Sequence, residues 1–233
     1  MPNHITNIVA FRGKKEDVEN VLIYIQGVGN GSKEIIDFEA IISMPAELLE
    51  IRASPKIISE KEYVIEMIDF EKRKKDPTDI DQMIGLSHNL TQKMYDEYME
   101  KFGAVDWYAW HCQNWGTKWN AYDQSSNGIT EIDGDNEVIG EIVFDTAWST
   151  PYPVIKKLAS MFPEVEIELK WADEDLGSNV GKIKFWGDVI LDEYIPDNSS
   201  KEAYELCFEI KEGSSQYFRL VNGNYEFYDE EGF

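Results

Sequence analysis

Val165-Glu166-Ile167-Glu168-Leu169-Lys170-Trp171 alternates apolar and charged residues without a break. A period of two puts Val165, Ile167, Leu169 and Trp171 on one face, which marks a half-buried β-strand. Just upstream, Ser149 reads as a helix cap, with Pro151 in the first turn. Val154, Ile155, Leu158, Ala159 and Phe162 line that helix, and Pro163 stops it. Glu141–Thr146 before it is a short strand, so strand, helix and strand make one β-α-β unit. Downstream, Lys182–Gly187 alternates through Ile183 and Phe185, as a hairpin partner across Asp173–Gly181 would.

The start of the chain carries a second unit of the same kind. His4–Arg12 alternates like a strand and Gly13 ends it. Lys14–Gln26 then places Val18, Val21, Leu22 and Ile25 on one helical face. A turn over Gly27–Ser32 leads to Ile35–Ile42, an apolar run of strand length that stops before Met44-Pro45. Two β-α-β units split by an insertion predict an α+β fold: a ferredoxin-like split β-α-β core with a helical insertion and a C-terminal extension. The expected division is 1–45 and 107–190 for the core, 46–106 for the insertion and 191–233 for the extension.

The insertion reads as helical. Ser59 with Glu62 makes a capping box, and Val64, Met67 and Ile68 give the following helix a face. Ile80, Met83, Ile84, Met94, Tyr98 and Phe102 recur at helical spacings, which predicts a second long helix after Pro77. The basic run Lys72-Arg73-Lys74-Lys75 suits a helix C-terminus, where cations complement the macrodipole, better than a phosphate contact. In the extension, Ser199 with Glu202 and Ala203 favour a helix, although Tyr204, Leu206, Phe208 and Ile210 alternate like a strand. Asn222-Gly223 between Tyr217–Val221 and Asn224–Tyr228 predicts a hairpin with a primed turn.

Composition bounds the function. The chain has 233 residues and a formal charge of −23, with 22 Lys+Arg against 45 Asp+Glu. Hydrophobic content of 42% is enough for a core and excludes global disorder. The longest stretch without a charge, Asn20–Ser32, has 13 residues, whereas a membrane helix needs about 20. No basic stretch followed by an apolar run opens the sequence, so a signal peptide is not expected. Direct binding to nucleic acid is disfavoured, because phosphate affinity comes from clustered Lys and Arg. The negative charge concentrates late: residues 189–233 carry 3 Lys+Arg against 11 Asp+Glu. Two cysteines, Cys112 and Cys207, point to a reducing compartment without a disulfide framework.

Five of the seven tryptophans lie between Trp107 and Trp148. In Asn114-Trp115-Gly116-Thr117-Lys118-Trp119-Asn120, aromatic, glycine and amide residues surround a single cation. With Trp148 they are candidates for a stacking pocket in which Lys118 and Asn114 orient a base or sugar. Equally, Trp115 and Trp119 can be core anchors with Gly116 at a close backbone approach. Asp173-Glu174-Asp175, followed by Asn179, is a candidate for cation or acid-base chemistry, or a polar turn. Asp133–Glu137 fails the calcium-loop pattern and reads as a turn. His4, His88 and His111 are far apart, and no Walker motif, G-x-G-x-x-G, H-E-x-x-H or paired C-x-x-C is present. Nothing in the sequence calls for a cofactor or a metal.

Several of these segments, in this order, resemble the YubB-type ferredoxin-like domain family of phage, prophage and plasmid proteins. They are Met1–Asn7, Phe38-Glu39 with Met44-Pro45, NWGTKWN at 114–120, FDTAWSTP at 144–151 and ADEDLG at 172–177. The resemblance implies a ferredoxin-like fold without an iron–sulfur cluster, a mobile-element origin and action in a bacterial cytoplasm. It supplies no catalytic set. Charge adds a motive: a compact acidic surface can occupy the basic groove of a nucleic-acid-handling protein by imitating phosphates. The expectation is a non-enzymatic inhibitor of a host defence factor, of anti-CRISPR or anti-restriction type. Its partner-binding carboxylates are expected to be Asp173, Glu174, Asp175, Asp192 and Glu193. The alternative is a nucleotide-sequestering protein that uses Asn114, Trp115, Lys118, Trp119 and Trp148.

Overall fold

The computed structural model describes residues 2–29, 32–78, 85–132 and 137–228. The chain divides into two compact units, one formed by Met1–Ile42 with Trp115–Phe233 and the other by Ser43–Asn114. The first unit opens with β1 (His4–Lys14), α1 (Lys15–Tyr24), a short pair β2 (Val28–Gly29) and β3 (Ser32–Lys33), and α2 (Phe38–Ile41). The second unit contains β4 (Ile57–Ile58), α3 (Glu60–Lys75), β5 (Leu90–Thr91), α4 (Gln92–Phe102) and α5 (Trp107–Asn114). The chain then returns to the first unit with β6 (Tyr122–Glu131), β7 (Glu137–Ala147), α6 (Tyr152–Met161), β8 (Glu166–Asp173), β9 (Gly181–Trp186) and β10 (Val189–Tyr194). It closes with α7 (Lys201–Ile210) and the hairpin β11 (Phe218–Val221) and β12 (Asn224–Phe227).

Six strands form an antiparallel sheet in the order β10-β9-β8-β1-β7-β6. Taken alone, β1-α1-β6-β7-α6-β8 with spatial order β8-β1-β7-β6 is the ferredoxin-like split β-α-β arrangement. β9 and β10 extend the sheet beyond β8.

Alternation on the strands decides the two faces. Ile5, Asn7, Val9 and Phe11 of β1 are buried, beside Gly140, Ile142 and Phe144 of β7 and Ile167 and Leu169 of β8. α1 lies on this face, because a Cβ on Gly140 would meet Val18 and Leu22 at 3.1 Å. Each buried Ile or Phe here adds about 1.5–3 kcal/mol of apolar transfer energy. The opposite face is polar, except where α7 packs Ala203, Leu206, Cys207 and Ile210 against Ala172, Val180 and Ile8.

Several elements differ from expectation. Ile35–Ile42 is not a strand; Asp37 caps α2 by accepting from the Glu39 N–H at 2.9 Å. The Ile35 and Ile36 N–H groups donate to Gln124 Oε1 rather than to a ladder. β6 is the strand that completes the first β-α-β unit. It escapes a sequence reading because it is an exposed edge strand with almost no buried residue.

In the second unit the Ser59–Glu62 capping box forms, but Phe70 is the buried residue of α3, while Val64 and Ile68 are exposed. Lys72–Lys75 occupy its last turn, with Lys74 Nζ 2.6 Å from Glu50. The second long helix is shorter than expected. α4 begins at Gln92 under a Thr91 cap, after extended backbone that includes β5, and Ile80, Met83 and Ile84 lie outside the described residues. Trp107–Asn114 falls in the second unit.

Ser149 does not cap α6: Pro151 stands at the N-cap position without a side-chain cap, and the proline of the first turn is Pro153. α7 is a helix, capped by Ser200 rather than Ser199. Asn222 and Gly223 both have positive φ, as a primed turn requires. The turn expected over Asp133–Glu137 lies largely outside the described residues. Among the described residues, no helix is long and apolar enough to cross a membrane.

Candidate functional site

Antiparallel pairing brings four segments of the first unit to one end of the sheet. β1 begins there, β7 and β8 end there, and β6 starts there after the loop from Trp115. The register pairs His4 with Ala147, Ile5 with both Thr146 and Asp173, and Tyr122 with Asp145.

A buried polar network anchors this end. Asn7, fully buried, donates through Nδ2 to Thr146 Oγ1 (2.8 Å) and to the Ile5 carbonyl (2.9 Å). Its Oδ1 accepts from Thr150 Oγ1 at 2.8 Å, and Thr146 Oγ1 donates to the Ser149 carbonyl. Every member has a partner, so the loop after β7 is held in one conformation. The loop before β6 is clipped onto it. Thr117 Oγ1 donates to the Ala147 carbonyl at 2.8 Å and accepts from the Ala147 N–H, while Ser149 Oγ donates to the Gly116 carbonyl. Gly116 has φ +79°, and a Cβ there would meet Pro153 Cδ at 2.8 Å.

These clips decide which aromatic rings are displayed. Trp115 is 2% exposed, donates from Nε1 to the Ile42 carbonyl at 2.8 Å and stands edge-on to Phe38. Trp119 and Trp148 are 38% and 43% exposed. Between them lies Lys118, with Nζ 4.7 Å from the Trp119 ring centre and 5.0 Å from that of Trp148. An ammonium over two indole faces is a cation–π arrangement, filled here by the chain's own lysine. Trp148 sits at φ +73°, a conformation costly for a bulky side chain. Its N–H donates to the Asn3 carbonyl at 2.9 Å, and its carbonyl accepts from Asn179 Nδ2 at 3.3 Å.

The acidic segment divides in the same way. Asp173 is 5% exposed, and its carboxylate accepts from Asn3 Nδ2 (3.1 Å), the Asp175 N–H (3.0 Å) and Asn179 Nδ2 (3.1 Å). It organises the turn and is not available to a partner, which corrects its assignment as a partner-binding residue. Asn179 offers donors to this group, the wrong polarity for a shared cation. Glu174 and Asp175 are exposed, and the Glu174 N–H donates to the His4 carbonyl at 2.9 Å. Among the described residues, no group of three or more His, Cys, Asp or Glu is placed to hold a metal ion.

His4 and Tyr122 complete the site. The Tyr122 hydroxyl donates to the Thr146 carbonyl at 3.1 Å and lies 2.8 Å from His4 Nδ1. Burial, then the Asp145, Asp123 and Glu174 carboxylates, push the Tyr122 hydroxyl up to about 12. Burial raises Asp145 as well, against a hydrogen bond to Thr6 and the charge of Lys211. Trp119 stands edge-on to Tyr122 at 6.2 Å.

Of the residues singled out on sequence, Lys118, Trp119 and Trp148 come together, and Glu174 and Asp175 belong to the turn that fixes Trp148. Trp115 is core. Asn114 ends α5 in the second unit and donates to the Trp110 carbonyl at 3.0 Å. Asp192 and Glu193 lie on β10, where they pair with Lys184 and Ile183 and so point to opposite faces. Sequence reasoning missed Asn3, His4, Asn7 and Tyr122, while Thr117, within the Asn114–Asn120 motif, turns out to be a clip rather than a ligand contact. Polar residues at strand ends carry no periodic signal, and only the pairing of distant strands shows what they meet.

Residues 115–213 match the family model described as "Ferredoxin-like domain in Api92-like protein". Among solved structures, the crystal structure of protein api92 from Yersinia pseudotuberculosis shares 11% identity, over 84% of this chain and 99% of that one. The TM-score of 0.43 is too low to carry an argument about the fold. No curated protein matches the chain.

Proposed function

We propose that this chain is a non-enzymatic binding protein that engages a basic protein partner through the displayed end of its sheet. The reading rests on one observation: Trp119 and Trp148, both exposed, flank a lysine ammonium on a scaffold of net charge −23. Exposed tryptophans on a rigid frame are the residues that most often anchor interfaces. Their rings supply rigid apolar area around the Lys118 ammonium, and Glu174 and Asp175 add exposed carboxylates on the turn whose Asn179 bonds the Trp148 carbonyl. The long-range field favours fast encounter with a positive surface. The partner class is a nucleic-acid-handling host defence effector, and the setting a YubB-type mobile-element protein acting in a bacterial cytoplasm as an anti-CRISPR or anti-restriction factor. The protein itself contacts no nucleic acid or membrane and needs no cofactor.

The test is capture from nuclease-treated bacterial lysate at low and high salt. Wild-type protein retains a basic protein that high salt releases, and Glu174→Lys/Asp175→Lys does not. Retention of the same protein by the charge-reversed variant sinks the reading. A second reading, favoured by the Lys118 ammonium lying over two rings, is a nucleotide stacked on Trp119 or Trp148 with its phosphates on Lys118. It predicts a co-purifying ligand absorbing near 260 nm that Trp119→Ala loses.

A further inference from the structure

β10 ends the sheet, and all its residues are exposed. Edge strands are normally short, charged or covered, because their free N–H and C=O groups template pairing with another chain. β10 combines Asp192 and Glu193 and an irregularity at Leu191 with an unusual amount of exposed apolar surface. Val189, Leu191 and Ile195 are 59%, 51% and 58% exposed, and Trp186 on β9 is exposed beside Val189. The register places Val189, Asp192 and Tyr194 beside Trp186, Lys184 and Lys182 on one face of the sheet. Ile190 and Glu193 lie beside Phe185 and Ile183 on the other. Each face of the edge therefore offers one carboxylate: Glu193 beside the apolar Ile183, and Asp192 beside Lys184, whose ammonium is 3.1 Å from Glu166.

We infer that β10 accepts an extended segment of the basic partner as a seventh strand, with two consecutive basic residues flanked by β-branched or aromatic ones. This rests on the proposed reading of a basic partner. Two adjacent residues of a strand point to opposite faces, so a dibasic pair places one cation against Asp192 and the other against Glu193. Charge decides against a second copy of this chain. Antiparallel self-pairing about Leu191 sets Asp192 and Glu193 on one strand against Ile190 and Val189 on the other, so neither carboxylate meets a cation and two chains of −23 are brought together. A basic segment satisfies both carboxylates, while the ladder supplies affinity that does not depend on side chains.

The probe is a capped octapeptide, Thr-Val-Thr-Lys-Arg-Thr-Val-Thr, titrated into the full chain, with amide hydrogen exchange read at residues 189–194. Two control peptides replace Lys-Arg by Glu-Glu, or carry N-methyl groups on alternate backbone amides. The expected result is slowed exchange over β10, with affinity reduced about tenfold or more by either control and by Asp192→Lys/Glu193→Lys. Leu191→Pro, placed at the irregularity where a proline is tolerated, weakens binding while leaving the melting temperature near wild type. Equal binding of the N-methylated peptide, or protection elsewhere on the chain, overturns strand addition and leaves the basic-partner reading intact. Absence of any peptide binding also overturns it, and if lysate capture then yields no basic protein, the underlying reading falls too.

Discussion

Trp115 and Trp119 are separated by one turn of chain and serve opposite purposes. Around Trp115 lies an inner region, with Gly116, Thr117, Asn7, Thr146 and Thr150, in which each hydrogen bond is closed within the protein. Around Trp119 lies an outer region, with Lys118, Trp148, Glu174 and Asp175, in which rings and carboxylates face solvent. On the proposed reading, the inner region holds the outer one still. A displayed aromatic pair contributes most to binding when its ordering cost is met before the partner arrives.

Substitutions should separate the two regions, and the largest effects belong inside. Trp115→Ala is expected to cost about 3–5 kcal/mol, from lost burial plus a cavity. Denaturant unfolding checks it, and a cost near zero would mean that the inner region is not the anchor. Asn7→Leu should cost about 2–3 kcal/mol, because it strands the Thr150 hydroxyl and breaks the bond to Thr146. Trp148→Gly should be about 1 kcal/mol more stable than Trp148→Ala, since glycine relieves the positive φ that alanine keeps while both remove the ring. Both variants should lose the partner. A gap in stability without a gap in binding would show that the backbone at 148 is strained and that the ring carries the affinity.

Two titrations sharpen the boundary between the regions. Tyr122 is harder to ionise in the folded chain than in the unfolded one. Its contribution is therefore complete below the ordinary tyrosine range and is lost as pH rises toward about 12. Thermal melts between pH 9 and pH 12 should fall less steeply for Tyr122→Phe than for wild type. Asp145 is raised by burial, so its charged form opposes folding once pH climbs through its folded value. Asp145→Asn should melt slightly higher than wild type at pH 7, with the gain vanishing near pH 3.

Legibility in the sequence followed burial. Val165–Trp171 alternates because α6 covers one face of β8 while the other is polar, with Lys170 paired to Glu209 of α7, so strand and neighbouring helix could be read directly. β6 could not be read, since an edge strand with both faces exposed has no pattern to show. Ile35–Ile42 misled because Ile36, Phe38 and Ile41 are buried by tertiary packing, whereas the Asp37 cap and Gln124 set its backbone. At the candidate site, residue types pointed to Lys118, Trp119 and Trp148 but did not say which tryptophan was buried. That depends on the Nε1–H of Trp115 reaching the Ile42 carbonyl, a contact across the whole inserted unit in sequence.

The central claim is that the outer region binds and the inner region supports. Its most direct measurement is the dissociation constant of the captured basic partner for Trp119→Ala/Trp148→Ala, taken with the melting temperature of the same preparation. The account predicts a loss of about 2 kcal/mol or more in binding, with the melt within a few degrees of wild type. An unchanged dissociation constant at unchanged stability would contradict it.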